Sequence, residues 1–270
     1  MALVGILSIF QAWFIPGFLF LCFYRNIKIL DNIILSVPLS LVINYILIYA
    51  LVNLNLYTQS IFFFIILFEV TLIILILIKR YKFNVIIDKI DIFFSIEKQK
   101  KLININFSLI NLLIFLLLVI YSFYALKNVG LPVHAGDPLD MWNEWAISWS
   151  KNEIPYKVEY PQAVPILYSI SYVLLNSHEV EYFTSAICLI YPIWIFIIFF
   201  RLTYIFPEKK LLIKLSLIIT TFYLLSVLRN YALFVGYSDP ILVLTSTSTA
   251  YVLLHFLNEK GNNLDFKNLF

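Results

Sequence analysis

Seven long apolar stretches constrain this chain more than any other feature of it. They run at approximately 3–24, 30–52, 60–78, 107–126, 182–200, 211–228 and 240–257. Each is close to the ~20 residues a helix needs to cross a bilayer. Hydrocarbon offers no partner to an open backbone N–H or C=O, so helix is the state these stretches can adopt. The expected fold is all-α: a polytopic membrane helix bundle of about seven spans. Of 270 residues, 62% are hydrophobic and 13% charged, against roughly 25% charged in a soluble domain, which argues against a soluble enzyme. The N-terminus has no basic region followed by a small-residue cleavage site, so it is expected to be a retained membrane helix and not a signal peptide. Cys22 and Cys188 both lie in apolar runs and offer neither a disulfide framework nor metal-ligand spacing.

Basic residues give an orientation. With alternating connections, all but Lys127, Lys151, Lys157 and Arg229 of the 19 lysines and arginines fall on one side. The positive-inside rule makes that side the cytoplasm. The N-terminus, the 53–59 loop, the long 127–181 segment and the 229–239 loop then face outward, and the C-terminus inward. This predicts a multi-pass protein of the inner (plasma) membrane. The net charge of +3 therefore speaks of orientation, and no nucleic-acid partner is expected. Within the cytoplasmic connection 79–106, Phe83, Ile86, Ile87, Ile90, Phe93 and Phe94 recur at helical spacing, which predicts an interfacial helix flanked by lysines. Glu69 falls in the middle of the third apolar stretch. A carboxyl there is expensive and faces a partner or a path, the plainer reading being a paired or protonated group inside the bundle.

The chain's polar chemistry is concentrated between Val129 and Leu167. Asp137-Pro138 has the form of a helix start, aspartate as N-cap and proline at the first helical position. Trp142, Trp145 and Trp149 then share one face, with Asp137, Asp140 and Glu144 on a neighbouring stripe. The plainer reading is a capped helix with tryptophans at headgroup depth; the sharper one is a carboxylate that takes a proton from a hydroxyl beside aromatic faces suited to a sugar ring. The apolar run from Pro165 to Leu175 is too short to span and predicts a helix lying on or dipping into the outer surface. His178, beside Glu179 and Glu181, reads as a surface residue. Ser238-Asp239-Pro240 repeats the cap pattern at the second outer loop. The run Thr245 to Thr249 puts five hydroxyls in a row inside the last stretch, where they allow close packing and bond their own backbone.

Three elements in order carry a resemblance: Gly136-Asp137-Pro-Leu-Asp140-Met-Trp142-Asn143-Glu144-Trp145-Ala146, then Tyr160-Pro161-Gln-Ala-Val-Pro165, then Gly236-Tyr237-Ser238-Asp239-Pro240. Over about 107–257 the chain resembles the GT-C superfamily of membrane glycosyltransferases, in particular the bacterial branch related to family 39 and to the lipopolysaccharide-core glycosyltransferases of rhizobia. The resemblance implies a GT-C-like core at 107–257 with outer-surface helices, an N-terminal three-span addition at 1–106, and a cytoplasmic tail at 258–270. It implies a sugar donor on a polyprenyl phosphate and a glycan, lipid or protein acceptor. Asp137 would be the catalytic base, with Asp140 a weaker candidate. Trp142, Glu144, Trp145, Lys151, Tyr160 and Arg229 would hold substrate, and Asp239 a divalent cation such as Mg or Mn. Members of the family continue with further spans, so a shortened form is expected here. Two other classes fit the sequence less closely. One is a transporter or lipid-carrier flippase using Glu69 and the hydroxyl run, which predicts broken helices; the other is a non-catalytic subunit of an envelope-assembly complex.

Overall fold

The computed structural model describes residues 1–24, 29–80, 138–156, 162–179, 181–188, 190–205 and 239–260, together with 112, 116, 119, 120, 123, 211, 212, 215, 216 and 219. Among them the regular structure is helical throughout. The helices are α1 (Ala2–Trp13), α2 (Ile15–Cys22), α3 (Ile29–Asn53), α4 (Gln59–Arg80), a π-helical turn (Pro138–Asn143), α5 (Glu144–Ser150), α6 (Ala163–Leu175), α7 (Glu181–Cys188), α8 (Ile190–Ile205) and α9 (Asp239–Lys260). The predicted amphipathic helix at 83–94, the 107–126 stretch and most of 211–228 lie outside the described residues.

Fewer than seven spans are found among the described residues, and most of two of the seven stretches, 107–126 and 211–228, lies outside them. Among the described residues two helices are long and apolar enough to cross a membrane, Leu30–Asn53 and Gln59–Lys79, or three if α1 and α2, bent by 49°, form one span. On either side of residue 189, which lies outside the described residues, the 182–200 stretch is helical as α7 and α8. Among the described residues α9 contributes the shorter apolar helix Ile241–Leu254.

Packing is tightest where residues are small. A Cβ on Gly17 would lie 2.1 Å from the Ser36 carbonyl oxygen, and one on Gly5 2.1 Å from the Phe183 ring. Gly17 lets α2 press its backbone onto α3, as small residues do between membrane helices. The Gly17 N–H, in the first turn of α2, donates to Ser40 Oγ at 2.9 Å.

Each helix break is closed by a side chain from elsewhere. Pro16 has no N–H for the Ala12 carbonyl, and Asn44 Nδ2 of α3 donates to Gln11 O at 2.8 Å and Ala12 O at 3.4 Å. Pro38 inside α3 orphans the Ile34 carbonyl in the same way, and Trp194 Nε1 of α8 donates to it at 2.7 Å. Near the end of α7, Ile187 O accepts from Trp13 Nε1 at 2.8 Å, which ties α1 to α7. These bonds meet the requirement that backbone groups in an apolar medium be paired.

Helix α6 is set into the bundle, not laid on it. Every residue from Val164 to Leu175 is buried, beneath α1, α3, α5 and α7. Both of its ends are tied down: Leu174 O accepts from Gln59 Nε2 at 2.8 Å, and Gln162 Oε1 accepts from Trp149, whose ring packs on Tyr49 near the end of α3. The opposite ends of α3, α8 and α9 are joined by a buried cluster. Arg201 meets the Asp31 carboxylate through two bonds, 2.9 and 3.2 Å, and Tyr251 OH donates to the same carboxylate at 2.7 Å.

Candidate functional site: a polar pocket at one end of the bundle

Three helices end at the same place, and each ends on an asparagine. Among the described residues Asn55, Asn152 and Asn176 are the non-glycine ones with positive φ, 55°, 62° and 50°. Asparagine tolerates this left-handed region because its short amide bonds locally. Each makes the same closure. Leu56 N bonds Leu51 O after α3, Glu153 N bonds Ser148 O after α5, and Ser177 N bonds Tyr172 O after α6. This pairing satisfies carbonyls that a helix end would leave open. Asn152 then clasps the 54–58 loop: its Oδ1 accepts from Tyr57 N at 3.0 Å and its Nδ2 donates to Tyr57 O at 3.2 Å. The Tyr57 hydroxyl reaches down to Ser169 on α6, 3.0 Å away. Burial pushes that phenol well above its ordinary value, so it stays neutral.

Between these closures lies a cavity of about 310 Å³, lined in part by Thr58, Gln59, Lys151, Asn152, Asn176 and His178. That is the small end of the range for ligand clefts, roughly 300–1,000 Å³. Its electrostatics are mixed, since three helix carbonyl ends, which favour positive charge, meet there with one helix N-terminus and Lys151. The carbonyl ends of three helices are internally closed, whereas α4 begins here at Gln59 and its first-turn N–H groups have no partner within the helix. Lys151 adds a full charge, fixed at the C-terminus of α5 where a cation is favoured. His178 is held below its ordinary pKa by partial burial and then by Lys151. It pairs with Ser150 Oγ at 3.0 Å and meets the Tyr172 ring edge-on at 5.6 Å.

Lys151 is thus the predicted site residue that the pocket includes. Trp142, Trp145 and Trp149 do share one face, but all three are buried in the protein. Trp142 and Trp145 meet edge-to-face at 5.2 Å, and α5 packs that face onto α6. Among the described residues their indole faces are covered by protein. Glu144 is exposed on the opposite side of α5. Asp140 lies on the π-helical turn and Asp239 opens α9; their side chains, like all of Asp137, Tyr160 and Arg229, lie outside the described residues. The hydroxyl run behaves as expected: Thr247, Ser248 and Thr249 each donate to the carbonyl four residues earlier, at 2.7 to 2.9 Å. Among the described residues no group of three His, Cys, Asp or Glu side chains is placed to hold a metal ion.

One polar residue beside the pocket was not singled out from sequence. Asn143 is buried, accepts from the Tyr172 hydroxyl, and donates to Glu181 Oε1 at 3.2 Å. It ties the π-helical turn to α6 and α7. Its neighbours Trp142 and Glu144 carry the conspicuous chemistry, and nothing but its place on the buried face marked it.

The fold and site define a class: an all-helical protein whose described residues include two or three helices able to cross a membrane, with a polar pocket where three helices end. Compared with known protein families, with curated proteins and with solved structures, the chain finds no match in any of the three.

Proposed function

We propose that this chain is a membrane glycosyltransferase of about seven spans with a GT-C-like core. It would move a sugar from a polyprenyl-phosphate donor to a hydroxyl acceptor on the outer face of the inner membrane. The observation that supports this reading best is the pocket. Parts of two loops read as outward, 53–59 and 127–181, meet there, and Lys151 stands beside the N-terminus of α4. That combination suits a phosphate bearing negative charge.

In this mechanism Asp137 takes the proton of the acceptor hydroxyl. The freed oxygen pair attacks the anomeric carbon, and the bond from that carbon to the phosphate oxygen breaks. Polyprenyl phosphate leaves with the electron pair. Lys151, with Arg229, offsets the charge that develops on it. Asp140 and Glu144 lie on the segment that follows Asp137, and Tyr160 precedes the helix that floors the pocket. Mg or Mn at Asp239 belongs to the same proposal.

The test is transfer of labelled sugar from a polyprenyl-phosphate donor in membranes containing the chain. Asp137→Asn is expected to abolish transfer with unchanged membrane content. Lys151→Gln is expected to weaken it by on the order of 100-fold, the cost of removing one charged partner of a developing anion. Full transfer by Asp137→Asn contradicts the mechanism.

A transporter or lipid-carrier flippase is the second reading. The observation in its favour is the broken α1–α2 pair, a form that carriers use to build sites inside the membrane.

A further inference from the structure

The charge balance of the pocket turns on His178. Among the described residues that line the cavity there is no carboxylate, and Lys151 is the permanent cation. Lys151 acts against three helix carbonyl ends, which disfavour an anion. A second positive charge in the same cavity would tip that balance.

The bonds around His178 fix where such a charge can arise. Ser150 Oγ has one hydrogen and donates it to Ile147 O at 2.7 Å. Towards His178 Nε2, 3.0 Å away, the same oxygen is therefore an acceptor. Nε2 then carries a hydrogen, and Nδ1 is the basic nitrogen of the neutral ring. Protonation at Nδ1 leaves the bond to Ser150 as it is, so the neutral and charged rings share the arrangement the structure has. The residue is exposed, and a proton reaches it from solvent.

Its surroundings set the direction of the coupling. Partial burial, and then Lys151 on the turn after α5, hold His178 below its ordinary pKa. Tyr172 of α6 meets the ring edge-on, and burial pushes its phenol up to about 12, so it stays neutral. Tyr57 of the 54–58 loop is neutral as well, and α4 contributes the uncharged Gln59. The carboxylates nearest in the chain, Glu153 and Glu179, are exposed, and Glu181 of α7 is bonded to Asn143. An anionic oxygen in the cavity reverses the sign of the Coulomb effect and raises His178 again. Binding then takes up a proton, and by linkage the protonated pocket binds the anion more tightly.

We propose that the pocket takes up a lipid-borne phosphodiester together with one proton, carried on His178 Nδ1, so that binding is gated by pH. The inference rests on the transferase reading, in which the pocket holds the donor's phosphate.

The experiment is binding of citronellyl methyl phosphate, a phosphodiester of constant charge, to the full chain in a nonionic detergent. It runs from about pH 8 to about pH 5, the span over which histidine changes charge. Affinity should rise about tenfold as pH falls, the consequence of a ligand that raises the His178 pKa by about one unit. His178→Gln should bind across the range about as the parent does at the alkaline end. The chain has three histidines. With His134 and His255 replaced by glutamine, NMR follows the His178 imidazole alone, and its pKa should rise when the phosphodiester is added. That readout decides even if His178→Gln does not fold. Equal binding across the range, with the imidazole pKa unmoved by ligand, would overturn the inference and leave the phosphate pocket standing. Absence of binding at every pH would overturn both.

Discussion

Arg201 and Asp31 show how a single residue pair can hold the end of a bundle. The carboxylate is almost fully buried, takes two bonds from the guanidinium and a third from Tyr251, and joins α3, α8 and α9. Removing one member of such a pair leaves the other charge uncompensated and costs about 3–5 kcal/mol. Replacing both removes the unpaired charge. Asp31→Leu alone and Arg201→Leu alone are therefore expected to lower thermal stability strongly, and the double variant to lie well above the sum of the two losses. Melting of the four proteins in one detergent measures this, and additive losses would show that the pair is not coupled. Asp31 and Arg201 were legible as residues near span ends; their meeting, across 170 positions, was not. The same holds for Glu69. Its cost in an apolar stretch could be read from the sequence, whereas its partner Gln11 lies 58 positions away on what reads as an unremarkable first span.

At the scale of elements, the structure departs from the hydropathy pattern at the prolines. Pro16 and Pro38 both lie in apolar stretches of spanning length, yet α1 and α2 part at Phe14 while α3 runs through. Hydropathy does not distinguish the two, because the outcome depends on which side chain reaches the freed carbonyl. For Ile34 it is Trp194. Trp194→Phe keeps the ring and removes the donor, leaving a buried carbonyl unpaired at a cost of about 1–3 kcal/mol. Pro38→Ala restores the N–H that Ile34 lacks. Trp194→Phe is thus expected to destabilise the protein, and Pro38→Ala in that background to recover a large part of the loss, by thermal melting in detergent. No recovery would mean that Trp194 acts through packing instead. The three asparagine closures were equally hidden, since Asn55, Asn152 and Asn176 differ from other asparagines only in backbone angle. The tryptophan stripe was legible, and its burial was not. Periodicity says that three indoles share a face and leaves open whether lipid, substrate or α6 covers it.

For the whole molecule, the alternation of basic residues predicts which ends of the spans share a side. The 54–58 loop, the turn after α5 and the turn after α6 converge on one pocket. The start of α3, the last turns of α8 and the middle of α9 meet at Asp31. An all-helical, membrane-type bundle was legible from hydropathy and composition; among the described residues two or three helices are long and apolar enough to cross a membrane. The central claim is that the pocket and its Lys151 open to the non-cytoplasmic side. In a background with Cys22 and Cys188 replaced by serine, single cysteines at Thr58, Glu153 and Ser177 should react with a membrane-impermeant maleimide added to intact cells, and one at Lys98 should react only after the membrane is opened. Protection of all three pocket positions in intact cells, with ready labelling at Lys98, would contradict the account.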